Sequence, residues 1–271
     1  MALRINTNVS ALDTHRNLMT LDTEMSTSLQ RLSSGLRINR ASDDAAGLSI
    51  GMTLDTQVRG LGQALNNAQD GINLINTADG AMGEITDILQ RMRELAVESA
   101  NGTLTNSDRT ATSQEYNSLM SEIDDISSYT TFNGYSLVSI AQTFTFQVGA
   151  NNGQTLAVST TAITSGGLTL TGTDTSTQTA AQNAITSLDT AIAAVDAARG
   201  QLGAASNRLT HTINNISVSQ ENLSAAESQI MDTDMAAEMT NLTREQILTQ
   251  SATAMLSQAN AAPQSILSLF R

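Results

Sequence analysis

The sequence predicts a mainly α-helical fold: an elongated rod with paired terminal helices, an antiparallel helical bundle and a small β-hairpin region in the middle of the chain. Aromatic residues make up only 3% of the 271 residues and tryptophan is absent, so alanine, leucine, isoleucine and methionine have to supply most of the buried surface. The chain contains one proline, Pro263, which suits long uninterrupted helices. Apolar residues also recur every three or four positions, which is typical of helices that pack side by side.

Both ends of the chain carry an apolar stripe with helical spacing. An N-terminal helix is predicted from about Ile5 to Leu36, and the last stripe runs from Leu248 to Arg271. Each stripe needs a partner, and the simplest arrangement pairs the two helices with each other. The two stripes together are called the predicted seam, whose members are Leu18, Leu21, Met25, Leu29, Leu32, Leu36, Leu248, Ala252, Met255, Ala259, Ala262, Ile266 and Leu269.

Pro263 lies inside the C-terminal stripe. Its nitrogen carries no hydrogen and cannot bond back to the carbonyl of Ala259, four residues earlier. We therefore expect the last helix to bend or loosen at this point, unless packing against neighbours holds it straight.

Three more helices are predicted between the two ends. Glycines such as Gly47 and Gly51 are poor helix formers, so we expect an irregular connector with short helical pieces from about Ile38 to Thr56. The last of the three helices has the most regular stripe, although Arg199 interrupts it. The three helices are expected from about Gln57 to Ala100, from Asn106 to Ser128 and from Ala181 to Leu223.

The centre of the chain has a different pattern. Apolar and polar residues alternate from Phe144 to Val148 and again from Leu156 to Val158, with the turn dipeptide Asn152-Gly153 between them. This alternation predicts a β-hairpin. The stretch from Thr160 to Thr179 is rich in threonine, serine and glycine, and is predicted to be strand and loop on the surface.

These elements predict two domains, built from three segments of the chain. Residues 1–41 and residues 229–271 form an outer coiled-coil domain from the two ends. Residues 42–228 form the helical bundle, with the connector at 42–56 and a β-rich tip at about 129–177.

The composition argues against several classes of function. The net charge of −13 and the pI of about 4.4 disfavour nucleic acid as a partner, because phosphate binding needs clustered cations. The absence of cysteine removes disulfides and thiolate sites. No apolar run is long enough to span a membrane, and the first residues lack the apolar core of a conventional secretory signal. If the protein leaves the cell, we expect another route.

The sequence offers no arrangement typical of an enzyme. His15 and His211 are far apart, and neither belongs to a zinc-binding motif. Asp43-Asp44 and Asp124-Asp125 are adjacent pairs, and neighbouring residues on a helix do not face one another. We therefore expect neither catalysis, nor a metal site, nor a cofactor.

Assembly is the alternative to chemistry. Apolar stripes at both ends of an acidic chain would be exposed in an isolated monomer, and such stripes mark interaction surfaces. Copies that stack through head-to-tail contacts would give an open helical filament. The competing interpretation is a closed monomer in which the two ends cover each other.

Five stretches carry a family resemblance. Residues 1–10 (MALRINTNVS), 31–39 (RLSSGLRIN) and 42–48 (SDDAAGL) resemble the N-terminal signature of bacterial flagellins. Residues 89–101 (LQRMRELAVESAN) resemble a central motif of the same family, and residues 255–271 (MLSQANAAPQSILSLFR) resemble its C-terminus. Several long motifs in the family's order make this resemblance specific.

The resemblance implies a secreted subunit that polymerises into the flagellar filament for swimming, with the predicted seam in the filament core. It implies unfolded export through the flagellar type III apparatus, a cytosolic export chaperone that holds the C-terminal segment, and contacts with hook-associated and filament cap proteins. The centre, about Tyr129 to Thr177, is too short for large outer domains, so a thin and smooth filament is expected. Two alternatives stay open: a hook–filament junction protein with similar ends, and a monomeric secreted adhesin.

The resemblance also implies recognition by the vertebrate Toll-like receptor for flagellin. The family's contact motif maps onto Gln90, Arg91 and Leu95, and Glu115 on the next helix is a looser match. Helical geometry predicts that Arg91 points away from the apolar stripe and that Leu95 flanks it. The same face could instead pack against neighbouring subunits.

The outer stretch from Thr155 to Thr179 is a candidate for O-glycosylation, as in some flagellins. Unmodified surface threonines are the alternative interpretation.

Overall fold

The computed structural model describes residues 7–267, and the side chains of its last helix as far as Ala262. It confirms the predicted mainly α-helical fold. Two short antiparallel β-ribbons lie in the middle of the chain. The helices are α1 (Val9–Ser34), α2 (Ala45–Ser99), α3 (Asn106–Tyr129), α4 (Gln178–Met231) and α5 (Met235–Leu267), and the strands are β1 (Thr131–Phe132), β2 (Tyr135–Ser136), β3 (Thr143–Gln147) and β4 (Thr155–Ser159).

The predicted hairpin is present. Strands β3 and β4 pair so that Phe144 lies opposite Val158 and Phe146 opposite Leu156. Leu156 and Val158 are buried while the residues between and beside them are exposed, as the alternating pattern predicts. The smaller ribbon turns through Asn133-Gly134, both with positive φ.

The stretch after β4 differs from the prediction. Within residues 160–177 the structure contains turns and coil but no strand. It is also anchored in the core, because Ile163, Leu168 and Leu170 are buried. These apolar side chains, placed among threonines and glycines, tie down a loop whose overall composition suggested a surface segment.

The long irregular connector was predicted wrongly, because α2 already begins at Ala45. Asp44 caps this helix: its Oδ1 accepts a hydrogen bond from the Gly47 nitrogen at 2.9 Å, and its backbone carbonyl accepts one from Leu48 at 3.0 Å. Gly51 is buried, and a Cβ at this position would collide with the Met231 side chain. The glycines therefore allow close packing inside a helix rather than ending it.

The chain divides into two compact units. The first contains Met1–Gln57 and Asn222–Arg271, and the second contains Val58–Glu221. In the first unit the segment between α1 and α2 pairs with the segment between α4 and α5, through a bridge between Leu36 and Asp232. The Arg37 guanidinium donates to the backbone carbonyls of Ile230 at 2.7 Å and Gln229 at 3.2 Å, and so caps the end of α4.

The second unit contains an antiparallel helical bundle, as predicted. Arg93 on α2 bonds Asp189 on α4 at 2.6 Å, and further along α2 Asp79 bonds Arg199 at 2.8 Å. Because the residue number falls on one helix as it rises on the other, the two helices run in opposite directions. The largest fully buried side chains of this core are Tyr116, Met82, Ile85, Leu89, Met92, Leu95, Ile123, Leu137, Ile163, Leu170, Leu188 and Leu202.

Candidate functional site

Helices α1 and α5 pack against each other, as predicted from their apolar stripes. Near the start of α1, Asn8 Nδ2 donates to the Ala259 carbonyl at 2.7 Å. Further along, Ser28 Oγ donates to Glu245 Oε1 at 3.3 Å. Rising numbers on α1 meet falling numbers on α5, so the pair is antiparallel.

On α1 most residues of the predicted seam are half-buried. The half-buried residues are Leu18, Leu21, Met25 and Leu32. They follow one another at steps of three or four, except for one step of seven between Met25 and Leu32. Ser28 fills that gap and is 4% exposed, whereas Leu29 is 51% exposed and lies beside the seam. Leu36 is half-buried but follows the end of the helix. The assignment of Leu29 to this face is therefore wrong, because a hydrophobicity count cannot recognise a buried serine.

On α5 the buried face is rotated from the predicted one. Ala252 and Ala259 are half-buried as predicted, but Leu248 and Met255 are 45% and 63% exposed. Ala262 is exposed, and the side chains of Ile266 and Leu269 lie outside the described residues. The partly or fully buried face consists of Glu238, Asn241, Leu242, Glu245, Thr249, Ala252, Leu256 and Ala259.

Polar residues replace apolar ones at one level of the α1–α5 pair. Arg31 Nη1 lies 3.9 Å from Glu238 Oε1, and Ser28 bonds Glu245. The second carboxylate oxygen of Glu245 is buried without a hydrogen-bond partner. A cavity of about 200 Å³ adjoins these groups and is lined also by Thr23, Glu24, Thr27 and Asn241. Polar groups inside a helix seam generally cost stability and favour the register in which they meet.

Several large apolar side chains of α1 and α5 stay exposed after the two helices have paired. A shallow groove of about 500 Å³ runs along α5, lined by Met239, Thr240, Thr243, Arg244, Ile247 and Leu248. Helices with apolar side chains on more than one face are usually covered on more than one face. The exposed apolar residues are Val9, Leu12, Met19 and Leu29 on α1, and Met235, Met239, Ile247, Leu248 and Met255 on α5.

The predicted receptor residues fall into two groups. Gln90, Arg91 and Glu115 are exposed, and Arg91 donates to Glu115 Oε1 at 2.9 and 3.0 Å. The hydrogen bonds that Arg91 donates to Glu115 and, second, to Glu94 raise the pKa of Arg91 above its ordinary value. Leu95, by contrast, is 1% exposed. Leu95 lies at the flank of the stripe, and this flank is buried because α2 is covered over a wider arc than one stripe.

The paired carboxylates serve structural roles. Asp43 Oδ2 accepts the backbone N–H groups of Asn39 and Arg40 at 3.1 and 2.9 Å. Asp124 accepts both the backbone N–H and the hydroxyl of Ser165, at 2.8 and 2.7 Å. Among the described residues, three or more histidine, aspartate or glutamate side chains do not meet in a way that could hold a metal ion.

Arg109 is a buried residue that the sequence pattern did not reveal. Its guanidinium donates to the Ser99 and Asn101 carbonyls, each at 2.9 Å, and to Asn106 Oδ1 at 3.2 Å. It thereby closes the turn between α2 and α3. In the part of the chain that the structure describes, none of the helices is long and apolar enough to cross a bilayer.

Comparisons with known proteins agree with this geometry. The bacterial flagellin N-terminal helical region matches residues 5–145, and the flagellin C-terminal helical region matches residues 185–270. A flagellin from Halalkalibacterium halodurans is 46% identical over 270 residues, which cover 98% of this chain and 99% of the relative. The flagellar filament 33 kDa core protein of Treponema phagedenis is 41% identical over 284 residues, with coverage of 98% and 99%. The crystal structure of Bacillus cereus flagellin aligns with a TM-score of 0.51 at 38% identity, covering 60% of this chain and 94% of that one.

Proposed function

The chain belongs to the bacterial flagellin family, and we infer that it is a structural subunit that polymerises into the flagellar filament for swimming motility. One structural observation supports this function most directly. After α1 and α5 have paired, both helices still expose large apolar residues, among them Leu12 and Met19 on α1 and Ile247 and Met255 on α5. Further copies of the same chain would remove this surface from water.

We propose that the predicted seam lies in the filament core, with residues 1–41 and 229–271 as the core coiled coil and residues 42–228 as the surrounding bundle. The pairing of α1 with α5 supports this division. Within the seam, Ala252 and Ala259 contact the partner helix of the same chain. Leu248 and Met255 point elsewhere and contact neighbouring copies.

The family also supports a secreted subunit outside the cell. We propose export in an unfolded state through the flagellar type III apparatus, with a cytosolic chaperone on the C-terminal segment. The groove on α5 between Met239 and Leu248 is an apolar surface, and we propose that the chaperone shields it from water before export. In the assembled filament, hook-associated and cap proteins would contact the terminal copies.

We further propose that the vertebrate Toll-like receptor for flagellin contacts Gln90, Arg91 and Glu115. All three are exposed, and the ion pair with Glu115 holds the Arg91 guanidinium in one orientation. Leu95 contributes indirectly, because its burial fixes this part of α2 in the bundle. We also propose O-glycosylation of exposed hydroxyl groups in the stretch from Thr155 to Thr179, where Thr155, Ser159 and Thr161 are exposed.

Seeded growth of the purified chain, followed by electron microscopy, tests the proposed function. A filament subunit extends seeds into long filaments. A hook–filament junction protein binds seed ends without elongation, and a closed monomer or a secreted adhesin leaves the seeds unchanged. Either of the last two results would contradict the proposal.

A further inference from the structure

The carbonyl of Ala259 lacks its usual helical partner. In an α-helix each carbonyl accepts a hydrogen bond from the N–H four residues later. For Ala259 that residue is Pro263, which has no N–H, although α5 continues to Leu267. An unpaired carbonyl inside a helix pair costs free energy, because it has lost water without gaining a partner.

Asn8, from the other end of the chain, bonds this carbonyl. Its Nδ2 donates to the Ala259 oxygen at 2.7 Å, and the side chain is partly buried. Its Oδ1 accepts from the Ala11 backbone nitrogen at 3.2 Å and caps α1. One side-chain amide therefore uses its donor on α5 and its acceptor on its own helix.

We propose that Asn8 is a positioning residue that helps to set the register of α1 against α5, beside the Ser28–Glu245 contact, by supplying the N–H that Pro263 lacks. The apolar contacts of the pair repeat every three or four residues and would tolerate a shift by one heptad. Such a shift would move Asn8 along α5 by about 10 Å and leave the Ala259 carbonyl unpaired. The chain has a single proline, so only one carbonyl is left without a partner in this way.

The inference rests on the proposed function in one respect, namely that this register is the one used in the filament. Two substitutions remove the N–H groups of the Asn8 side chain but keep an oxygen that can cap α1. Asn8→Asp keeps a capping oxygen but has no N–H to donate. Asn8→Ser also caps the helix, is uncharged and is shorter than asparagine.

The matched background is Pro263→Ala, which restores the backbone N–H four residues after Ala259. Each variant is mixed with an equal amount of wild-type chain, the mixture is grown from seeds, and the incorporated ratio is measured by mass spectrometry. In the Pro263 background, we expect Asn8→Asp and Asn8→Ser to enter filaments about tenfold less than wild type. In the Pro263→Ala background, the same changes should reduce incorporation less than twofold.

Equal losses in the two backgrounds would overturn the inference, since Asn8 would then act only as a helix cap. Failure of Pro263→Ala itself to enter filaments would also contradict it, because alanine supplies the missing bond within α5. Wild-type growth in the same assay tests the proposed function separately. Should wild type not grow, amide exchange of α1 in the free chain tests the inference, and it is followed on the millisecond scale because a lone helix pair is marginal in water. Asn8→Asp must then speed exchange with Pro263 present and leave it unchanged with Ala at that position.

Discussion

The hydroxyl of Ser28 donates a hydrogen bond to Oε1 of Glu245, across 217 positions of sequence, at 3.3 Å. Ser28 is buried, and the other carboxylate oxygen of Glu245 has no partner. The pair of terminal helices therefore contains a polar contact at a position where an apolar residue would give a tighter seam. Buried polar groups of this kind cost stability and restrict the helices to the register in which they meet.

Ser28→Ala should weaken the α1–α5 pair by about 1–3 kcal/mol, because Glu245 then loses its remaining hydrogen bond. The double variant Ser28→Ala with Glu245→Leu should recover this loss, since no buried carboxylate remains. The melting temperature of filaments measures both changes, and the exposed Ser26→Ala provides the control. A double variant no more stable than the single one would contradict the prediction.

Leu248→Asp and Met255→Asp should each raise the critical concentration for filament growth at least tenfold, because a carboxylate would be buried between copies without a partner. Both residues are exposed in the single chain, so the circular dichroism of the monomer should not change. Sedimentation of filaments measures the effect. Val218→Asp, at an equally exposed apolar residue of α4, is the matched control and should assemble normally. Assembly by all three variants would exclude α5 as the contact surface.

Arg91→Ala should reduce receptor binding by the free subunit about tenfold, as expected for an arginine at the centre of an interface, with little change in thermal unfolding. Leu95→Ala should instead destabilise the bundle by about 2–5 kcal/mol, because it leaves a cavity in the core. Receptor titration and thermal unfolding of the same samples separate the two effects. A stable Leu95→Ala variant with selectively lost binding would restore Leu95 as a direct contact.

Gly51→Ala should destabilise the first unit by about 1–3 kcal/mol, because its Cβ would overlap the Met231 side chain. Gly80 lies in the same helix, and a Cβ there would meet nothing within 4 Å. Gly80→Ala should therefore stabilise the chain by up to about 1 kcal/mol. Thermal unfolding followed by circular dichroism distinguishes the two. Stabilisation by both substitutions would contradict the prediction, because helix propensity rather than packing would then govern both positions.

The helices could be predicted from sequence because their apolar spacing is long and regular, but individual seam positions could not. Ser28 is buried and Leu29 is exposed, since the geometry of the pair, not hydrophobicity, decides which of two neighbours faces α5. Similarly, Arg199 did not interrupt the stripe of α4. The buried residue of this turn is Ala198, and the neighbouring Arg199 forms a hydrogen bond with Asp79 instead.

Glycine-rich segments were hard to predict for a related reason. The start of α2 at Ala45 depends on the cap by Asp44 and on close packing at Gly51, and the packing partner Met231 is 180 positions away in sequence. The family motif of residues 89–101 could not indicate that Leu95 is buried, because a motif carries no information about neighbouring helices.

Amide hydrogen exchange of the monomer and the assembled filament, compared residue by residue, tests most directly whether the terminal helices drive assembly. A single pair of helices is marginal in water, so amides in α1 and α5 should exchange rapidly in the monomer and at least about a hundredfold more slowly in the filament. Core amides of the second unit, such as those around Leu89 and Leu188, should be protected in both states. Equal protection of α1 and α5 before and after assembly would show that these helices form a closed monomeric pair, and would contradict the proposed role in the filament core.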